Sequence, residues 1–476
     1  MSAGKKLVSD TAAMSMGRLL QGASAFLALP FLARLLTPAD FGLMSLAMSL
    51  VWVAIAFSDA GFGQSLVRVE PEETETWSSV FWLTTGWSAV LTVLLIALAW
   101  PAAMIMKQPE LQRLVLALAP IPFLQGLLAV PAADLQRRRR FGALAIAEVL
   151  TAIFGFTAAV VLAMRGAGAW ALVGQQYFMW AAKALVLLTA TQFRPRFRFS
   201  PGKIREHSQF AGHTAAFGIA SFLSQQADAV IIGRLLGTTQ LGYYVMAYRL
   251  MSVPVYVVGG ALQRVFYPRL AVLQSDPAAQ KGLVLAASLA VASLVLPGMA
   301  LLSAAHDSLF KVLLSERWAA ASPAFAFLGP VGGLQTIAAL SGAVFMATGH
   351  TGRRLRVTLE FALLWLAVLA ATASFGIGAA AAGYAAAFVA YLPRYLSFYL
   401  KPLGVSQRAF ARELLAPVLV AAAAAAWHVG LMRIVELGPR GELMVVGVEL
   451  AVAYALTALA VRRRLVALYV QMRGKF

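Results

Sequence analysis

For nearly its whole length the chain alternates long apolar runs with short polar breaks. A helix needs about 20 consecutive apolar residues to cross the hydrocarbon of a bilayer. On that measure the sequence predicts fourteen spans, at roughly 11–36, 40–60, 79–103, 111–131, 141–164, 167–191, 208–233, 240–262, 281–304, 320–348, 356–375, 377–400, 413–435 and 441–461. The pattern is not the short strand alternation of a membrane barrel. The connections are short, and no soluble domain fits between spans. The residues after Arg464 read as a basic amphipathic tail at the membrane surface. The first apolar run follows Lys5 and Lys6, is interrupted by Pro30 and ends at Arg34. It has no small-residue cleavage pattern there, so it reads as an uncleaved first span.

Composition strengthens this reading. The chain of 476 residues is 61% hydrophobic and 12% charged, where soluble domains run at about half and about a quarter. Mean hydropathy is +0.77. With no cysteine in the sequence, disulfides, thiolate metal sites and cysteine nucleophiles are excluded. The net charge of +19 would suggest nucleic acid in a soluble chain. In a membrane chain it reflects the surplus of Lys and Arg on the cytoplasmic side, and no nucleic-acid partner is expected. With the N-terminus placed in the cytoplasm, 26 of the 39 basic residues fall on the inner side and 9 on the outer side. The other four, Arg18, Lys183, Arg249 and Arg394, lie within spans. The bias predicts a multi-pass membrane protein with both termini cytoplasmic.

A short turn is written twice. RLLTPADFG at 34–42 returns as RLLGTTQLG at 234–242, an offset of 200 residues. Six spans separate the copies, so both turns fall on the same face. The halves then read as parallel repeats related by an axis along the membrane normal, an arrangement in which substrate binds between lobes that rock. The expected fold is an all-α polytopic membrane protein of about 14 transmembrane helices. Residues 1–200 form an N-terminal six-helix lobe and 201–400 a C-terminal six-helix lobe. Residues 401–476 supply two extra helices and the basic tail.

Residues 228–268, DAVIIGRLLGTTQLGYYVMAYRLMSVPVYVVGGALQRVFYP, resemble the start of the second half of Wzx-type polysaccharide flippases. These belong to the multidrug/oligosaccharidyl-lipid/polysaccharide exporter superfamily. The likeness rests on Asp228, Ile231–Gly233, Leu236–Gly237, Leu241–Tyr244, Ala247–Leu250, Pro254 and Val265–Pro268. Segments 34–47, 58–63, 135–148, 166–173, 193–200 and 346–355 are similar to that family in the expected order. The resemblance covers about residues 7–400. It implies alternating access and, as substrate, an undecaprenyl-pyrophosphate-linked oligosaccharide turned from the inner to the outer leaflet. Polysaccharide polymerase or export machinery would be a partner.

Charges inside a membrane usually face a cavity or one another. Arg249, Arg18 and Lys183 are therefore the candidates to line a wet cavity and hold the pyrophosphate. Arg offers a forked donor set and Lys a point charge. Arg394, nearer a helix end, is expected to snorkel. Asp228, Asp59, Glu148, Glu360 and Glu449 are candidates for proton coupling or for pairing with a base. His213 and His428 read as structural groups. Arg137–Arg140 is expected to anchor the inner face, with anionic lipids as further partners. Trp77, Trp100 and Trp318 fit an interfacial belt, and Trp82, Trp87 and Tyr248 could stack on sugars. No nucleotide-binding loop, hydrolase elbow or metal-ligand spacing is present, so neither enzyme chemistry nor a cofactor is expected. The competing readings are a cation-coupled drug exporter of the same superfamily and, further off, a membrane polysaccharide polymerase.

Overall fold

In a computed structural model, residues 28–58, 62–66, 74–348 and 351–473 are described. Arg18, Asp59 and residues 11–27 of the first predicted span lie outside these residues, as does the side chain of His213. Every regular element among the described residues is helical. In chain order they are α1 (28–35), α2 (Pro38–Ser58), α3 (Phe62–Leu66), α4 (Thr74–Met106), α5 (Pro109–Leu118), α6 (Pro120–Arg137), α7 (Phe141–Met164), α8 (Ala169–Ala190) and α9 (Pro201–Pro254). There follow α10 (Gly260–Val272), α11 (Pro277–Ala304), α12 (His306–Leu313), α13 (Ser322–Ala338), α14 (Leu340–Ala347), α15 (Thr351–Thr372), α16 (Ile377–Leu400), α17 (Gln407–Met432) and α18 (Pro439–Arg473). Eleven helical stretches among the described residues are long and apolar enough to cross a membrane. The protein is an all-α, multi-pass membrane protein.

Several helices differ from the spans read off the sequence, for local physical reasons. The span expected at 111–131 lies within one membrane-length stretch, Pro109–Arg137, interrupted at Ala119, where Pro120 and Pro122 remove donors from the backbone ladder. At the break the carbonyl of Ala117 accepts from the Tyr177 hydroxyl. The span expected at 320–348 breaks at Ala339, where the Tyr395 hydroxyl donates to the carbonyl of Ala338 at 3.1 Å. Irregular backbone is tolerated at membrane depth when protein groups satisfy it in this way. After Pro254 the backbone takes one π-helical turn, Val255–Gly259, before α10. The tail after Arg464 is not a separate element, since α18 runs unbroken to Arg473.

The chain divides into two compact units between Gly242 and Tyr243. In the first, small residues bring helices close, as expected where lipid supplies no hydrophobic drive between them. Gly126 of α6 lies against Ser88 and the carbonyl of Thr84 on α4. Gly155 of α7 faces Met179 of α8, and Gly174 of α8 faces Leu162 of α7. The outer faces stay apolar: Val93, Leu94, Trp100, Met104 and Ile105 of α4 are all exposed.

The repeated turn has a direct structural counterpart in this unit. In the first copy, Thr37 and Asp40 cap α2: the Thr37 amide and hydroxyl donate to the Asp40 carboxylate at 2.8 and 2.6 Å. In the second copy Gly237 breaks α9 with φ +83°, a conformation that suits glycine. The two copies press on each other reciprocally. A Cβ on Gly42 would overlap the carbonyl of Thr238, and a Cβ on Gly242 would overlap the carbonyl of Pro38. Gly42 with Gly242 and Pro38 with Thr238 are 200-residue equivalents, so the contact has the i-to-j, j-to-i form of a two-fold relation.

Candidate functional site

The candidate basic residues fall in different surroundings. Lys183 of α8 is half-buried, with its ammonium 4.8 Å from the centre of the Trp180 ring, a cation–π contact. The antiparallel register of α7 and α8 pairs Thr151 and Gly155 with Met179. The same register sets half-buried Glu148 level with Lys183. Half-buried Asp228 of α9 accepts the amide of Ala229 at 2.8 Å. In the second unit Arg249 is exposed on the last turns of α9. Beside it, the Tyr248 ring is taken up by Tyr244 and Tyr384, at centroid distances of 6.3 and 6.1 Å. Tyr384 in turn packs on Trp365 and Phe361.

Several sequence expectations need correction. Arg394 does not simply snorkel. Its guanidinium forks onto Glu360 with bonds of 2.6 and 2.8 Å. Glu360 also accepts from Arg356 at 2.8 Å and from the Tyr391 hydroxyl at 3.0 Å. Trp77 and Trp318 are not belt residues. Trp77 packs among Leu66, Val80, Phe81 and Val130; Trp318 is fully buried and meets the Tyr243 ring edge-on. Trp100 remains exposed. Trp82 and Trp87 spend their indole N–H groups on the carbonyls of Arg196 and Phe57, and Trp82 stacks on Phe197. They fix the segment 193–200 and the end of α2.

The sequence reading overlooked Asp134. It is 2% exposed and accepts from Arg138 Nε at 2.5 Å, the Thr191 hydroxyl at 2.7 Å and the Gln192 amide at 3.0 Å. Arg140 holds the carbonyl of Ala190 at 3.0 Å. Part of the arginine run therefore ties α6 to the end of α8. The only sequence sign was an acid four residues before an arginine, the spacing of a helical ion pair.

Two features of the second unit also escaped the sequence. The first is an apolar groove of about 740 Å³ between α11, α13 and α17. Alanines dominate the α17 wall (421, 422, 425 and 426), Leu296, Met299, Pro330 and Leu334 form the other side, and Arg433 stands at one end. The second lies next to it. His428, 1% exposed, has Nδ1 2.7 Å from Glu449 and Nε2 3.2 Å from Glu442. Glu442 also accepts from the Ser308 hydroxyl at 2.5 Å. The two carboxylates oppose different ring nitrogens and do not converge on one point. Among the described residues no His, Asp or Glu group has the arrangement of a metal site. Nearby, outside the spans, burial holds His306 below the usual histidine range against the opposing pull of Asp307 and Glu442. Burial favours neutral Asp307, but hydrogen bonds from Lys311 and Ser322 outweigh it and bring the carboxyl below its usual range.

Comparison with known proteins places this architecture. The chain is 29% identical over 311 residues to the succinoglycan biosynthesis transport protein ExoT of Rhizobium meliloti (strain 1021), covering 65% of this chain and 63% of that protein. It is 23% identical over 322 residues to the lipopolysaccharide biosynthesis protein WzxC of Escherichia coli (strain K12), covering 66% of this chain and 65% of that protein. The chain thus spans a little under two-thirds of the length of each of these relatives. Its fold is that of the lipid II flippase MurJ in an inward closed conformation, with a TM-score of 0.77, 11% identity, and coverage of 96% of this chain and 99% of that one. The model of the polysaccharide biosynthesis protein family matches residues 31–323, more than half the chain, and the protein belongs to that family.

Proposed function

We propose that this protein is a flippase. It carries an undecaprenyl-pyrophosphate-linked oligosaccharide from the inner to the outer leaflet of the bacterial inner membrane, by alternating access, as a transporter rather than an enzyme. The observation that carries this reading is the groove between α11, α13 and α17: an apolar channel ending at a guanidinium complements a long isoprenoid chain attached to a phosphate head. Names of similar proteins, a succinoglycan transport protein and a lipid II flippase, support the same substrate class.

In this reading fourteen spans form two parallel six-helix lobes, 1–200 and 201–400, followed by two extra helices, of which α17 lines the groove, and both termini are in the cytoplasm. Arg249, Arg18 and Lys183 hold the pyrophosphate. Lys183 already rests on the Trp180 ring, so its share is a long-range charge. Asp228, Asp59, Glu148 and Glu360 serve as coupling acids or as partners to bases; Glu360 is engaged with two arginines. The reciprocal contact at Gly42 and Gly242 supports a closed gate between like turns, which outward opening must break. Anionic lipids meet the arginine-rich inner face, and a polysaccharide polymerase or export complex receives the product.

Deleting the gene tests the reading. Lipid-linked repeat units are expected to accumulate on the inner leaflet while their synthesis continues. Normal arrival at the outer face, in a strain without a second flippase, would overturn it.

A further inference from the structure

The His428 cluster has a proton count that its neighbours do not fix. A neutral imidazole has one N–H donor and one bare acceptor nitrogen. Here both nitrogens face carboxylate oxygens, at 2.7 and 3.2 Å. Two hydrogen bonds need two protons. One arrangement is an imidazolium between two carboxylates. The other is a neutral ring that donates to one Glu and accepts from the protonated other. Each holds one proton more than a neutral histidine with two ionised glutamates.

The remaining polar atoms say where that proton resides. Glu442 Oε2 accepts from Ser308, so Glu442 is satisfied as a carboxylate, with His428 Nε2–H donating to its other oxygen. Glu449 differs. Its side chain is 10% exposed, and its Oε1 is buried with no hydrogen-bond partner. An ionised carboxylate with an orphaned buried oxygen is costly, and a neutral carboxyl much less so. The extra proton is shared between Glu449 Oε2 and His428 Nδ1.

The surrounding charges come from every packed element. From α12 they are His306, Asp307 and Lys311, the last bonded to Asp307 at 2.8 Å. His306 Nδ1 is itself buried without a partner. Glu316 follows α12, exposed Arg433 and Glu436 lie beyond α17, and Arg440 starts α18. The sole titratable residue of α11 is Lys281, in its first turns and at the far end. Helix α16 meets α17 at the opposite end, where Tyr399 packs on Phe410.

We propose that His428, Glu442 and Glu449 form a proton-binding site that clasps the last two helices to α12 and sets the width of the adjoining groove. The ligand is a proton taken from and returned to the aqueous phase beside the α17–α18 turn. With the proton bound, α12, α17 and α18 are joined through Ser308, Glu442, His428 and Glu449. With it released, Nδ1 and Glu449 Oε2 present lone pairs to each other at 2.7 Å, away from water, and α17 parts from α18 at this level. Val429, Gly430 and Arg433 of the groove wall directly follow His428, so the wall moves with it. The site stands on its own geometry; its consequence for transport rests on the proposed role of the groove.

The cysteine-free sequence makes the test direct. Spin labels on Ala320→Cys and Ile434→Cys, both at exposed positions, report the separation of the end of α17 from the segment after α12. The full chain is studied in nanodiscs without substrate. Between about pH 5 and pH 9 the wild type is expected to shift between two distances, with a population ratio changing at most about tenfold per pH unit, as one linked proton allows. Glu449→Gln keeps a donor toward Nδ1 that cannot ionise, and is expected to hold the low-pH distance throughout. Glu449→Ala should hold the high-pH distance. A single pH-independent wild-type distance, or a Glu449→Gln protein that titrates like the wild type, overturns the site. A second arm measures undecaprenyl phosphate binding across the same range. Binding should follow pH in the wild type and be flat in Glu449→Gln; pH-independent binding alongside a shifting distance overturns the link to the groove. Absence of binding at every pH counts against the flippase reading, while the distance measurement still decides the proton site.

Discussion

Two carboxylate clusters in the second unit look alike on paper and behave differently in chemistry. Glu360 faces Arg356 and Arg394 and also accepts from Tyr391. Its bases are guanidiniums, which do not titrate in proteins, so the charge on this clamp between α15 and α16 is fixed. Glu449 faces His428, whose imidazole can carry one N–H or two, and keeps one oxygen unpartnered in the interior. The first cluster is half open to its surroundings, with Arg394 52% exposed; the second is shut, with His428 1% exposed. An arginine partner makes a permanent joint. A buried histidine between acids makes a joint that depends on one proton.

The comparison can be extended first with Asp134, the buried counterpart of the fixed joint in the first unit. Asp134→Ala leaves Arg138 without its carboxylate and unties α6 from the end of α8. A loss of about 3 kcal/mol in stability is expected, the usual scale for removing one partner of a buried pair. Thermal unfolding in detergent checks it; a change below about 0.5 kcal/mol, the level of an ordinary surface substitution, would mean the network carries no weight.

A smaller effect is expected at Glu360. Glu360→Ala should lower the melting temperature by the same amount at pH 6 and pH 8, because its arginine partners keep their charge. Removing Arg394 as well should return part of the loss. A pH-dependent penalty would erase the contrast between the two clusters.

The smallest effect concerns His306. Its folded-state value lies below the ordinary histidine range, through burial. The unfolded chain therefore takes up the proton first, and stability falls as pH drops below about 6.5, the unperturbed value. Asp307, depressed by Lys311 and Ser322 against its own burial, adds a loss at lower pH, as pH falls from the usual carboxylate value through its folded one. His306→Asn should flatten the upper part of this acid limb. An unchanged melting profile between pH 7 and pH 5 would contradict the assignment.

Much of the architecture could be read from the sequence because hydropathy repeats at the scale of a helix. The long apolar runs of the described residues became helices, while the contact of Gly42 and Gly242 with the opposite RLL turn is a feature the repeated sequence did not predict. What escaped depends on how each helix is rotated about its axis, and hydropathy does not encode that when nearly every face is apolar. Trp77 and Trp318 sit near span ends yet point inward. Glu360 and Arg394 are 34 residues apart and meet only because α15 and α16 turn those faces together. His428 read as a lone histidine, since its acids lie 14 and 21 residues further along on another helix. The alanine run of α17 left a trace, because small side chains over two turns leave room beside a helix, and that room is the groove.

The flipping step itself is the most direct test. Purified protein is reconstituted with a labelled undecaprenyl-pyrophosphate-linked oligosaccharide, and a membrane-impermeant reagent that destroys exposed sugar is added from outside. Liposomes containing the protein should expose the inner-leaflet pool to the reagent well before empty liposomes do, and Arg249→Ala should slow that exposure. Equal protection of the inner pool with and without correctly folded protein, under every imposed pH gradient and membrane potential, would contradict the account.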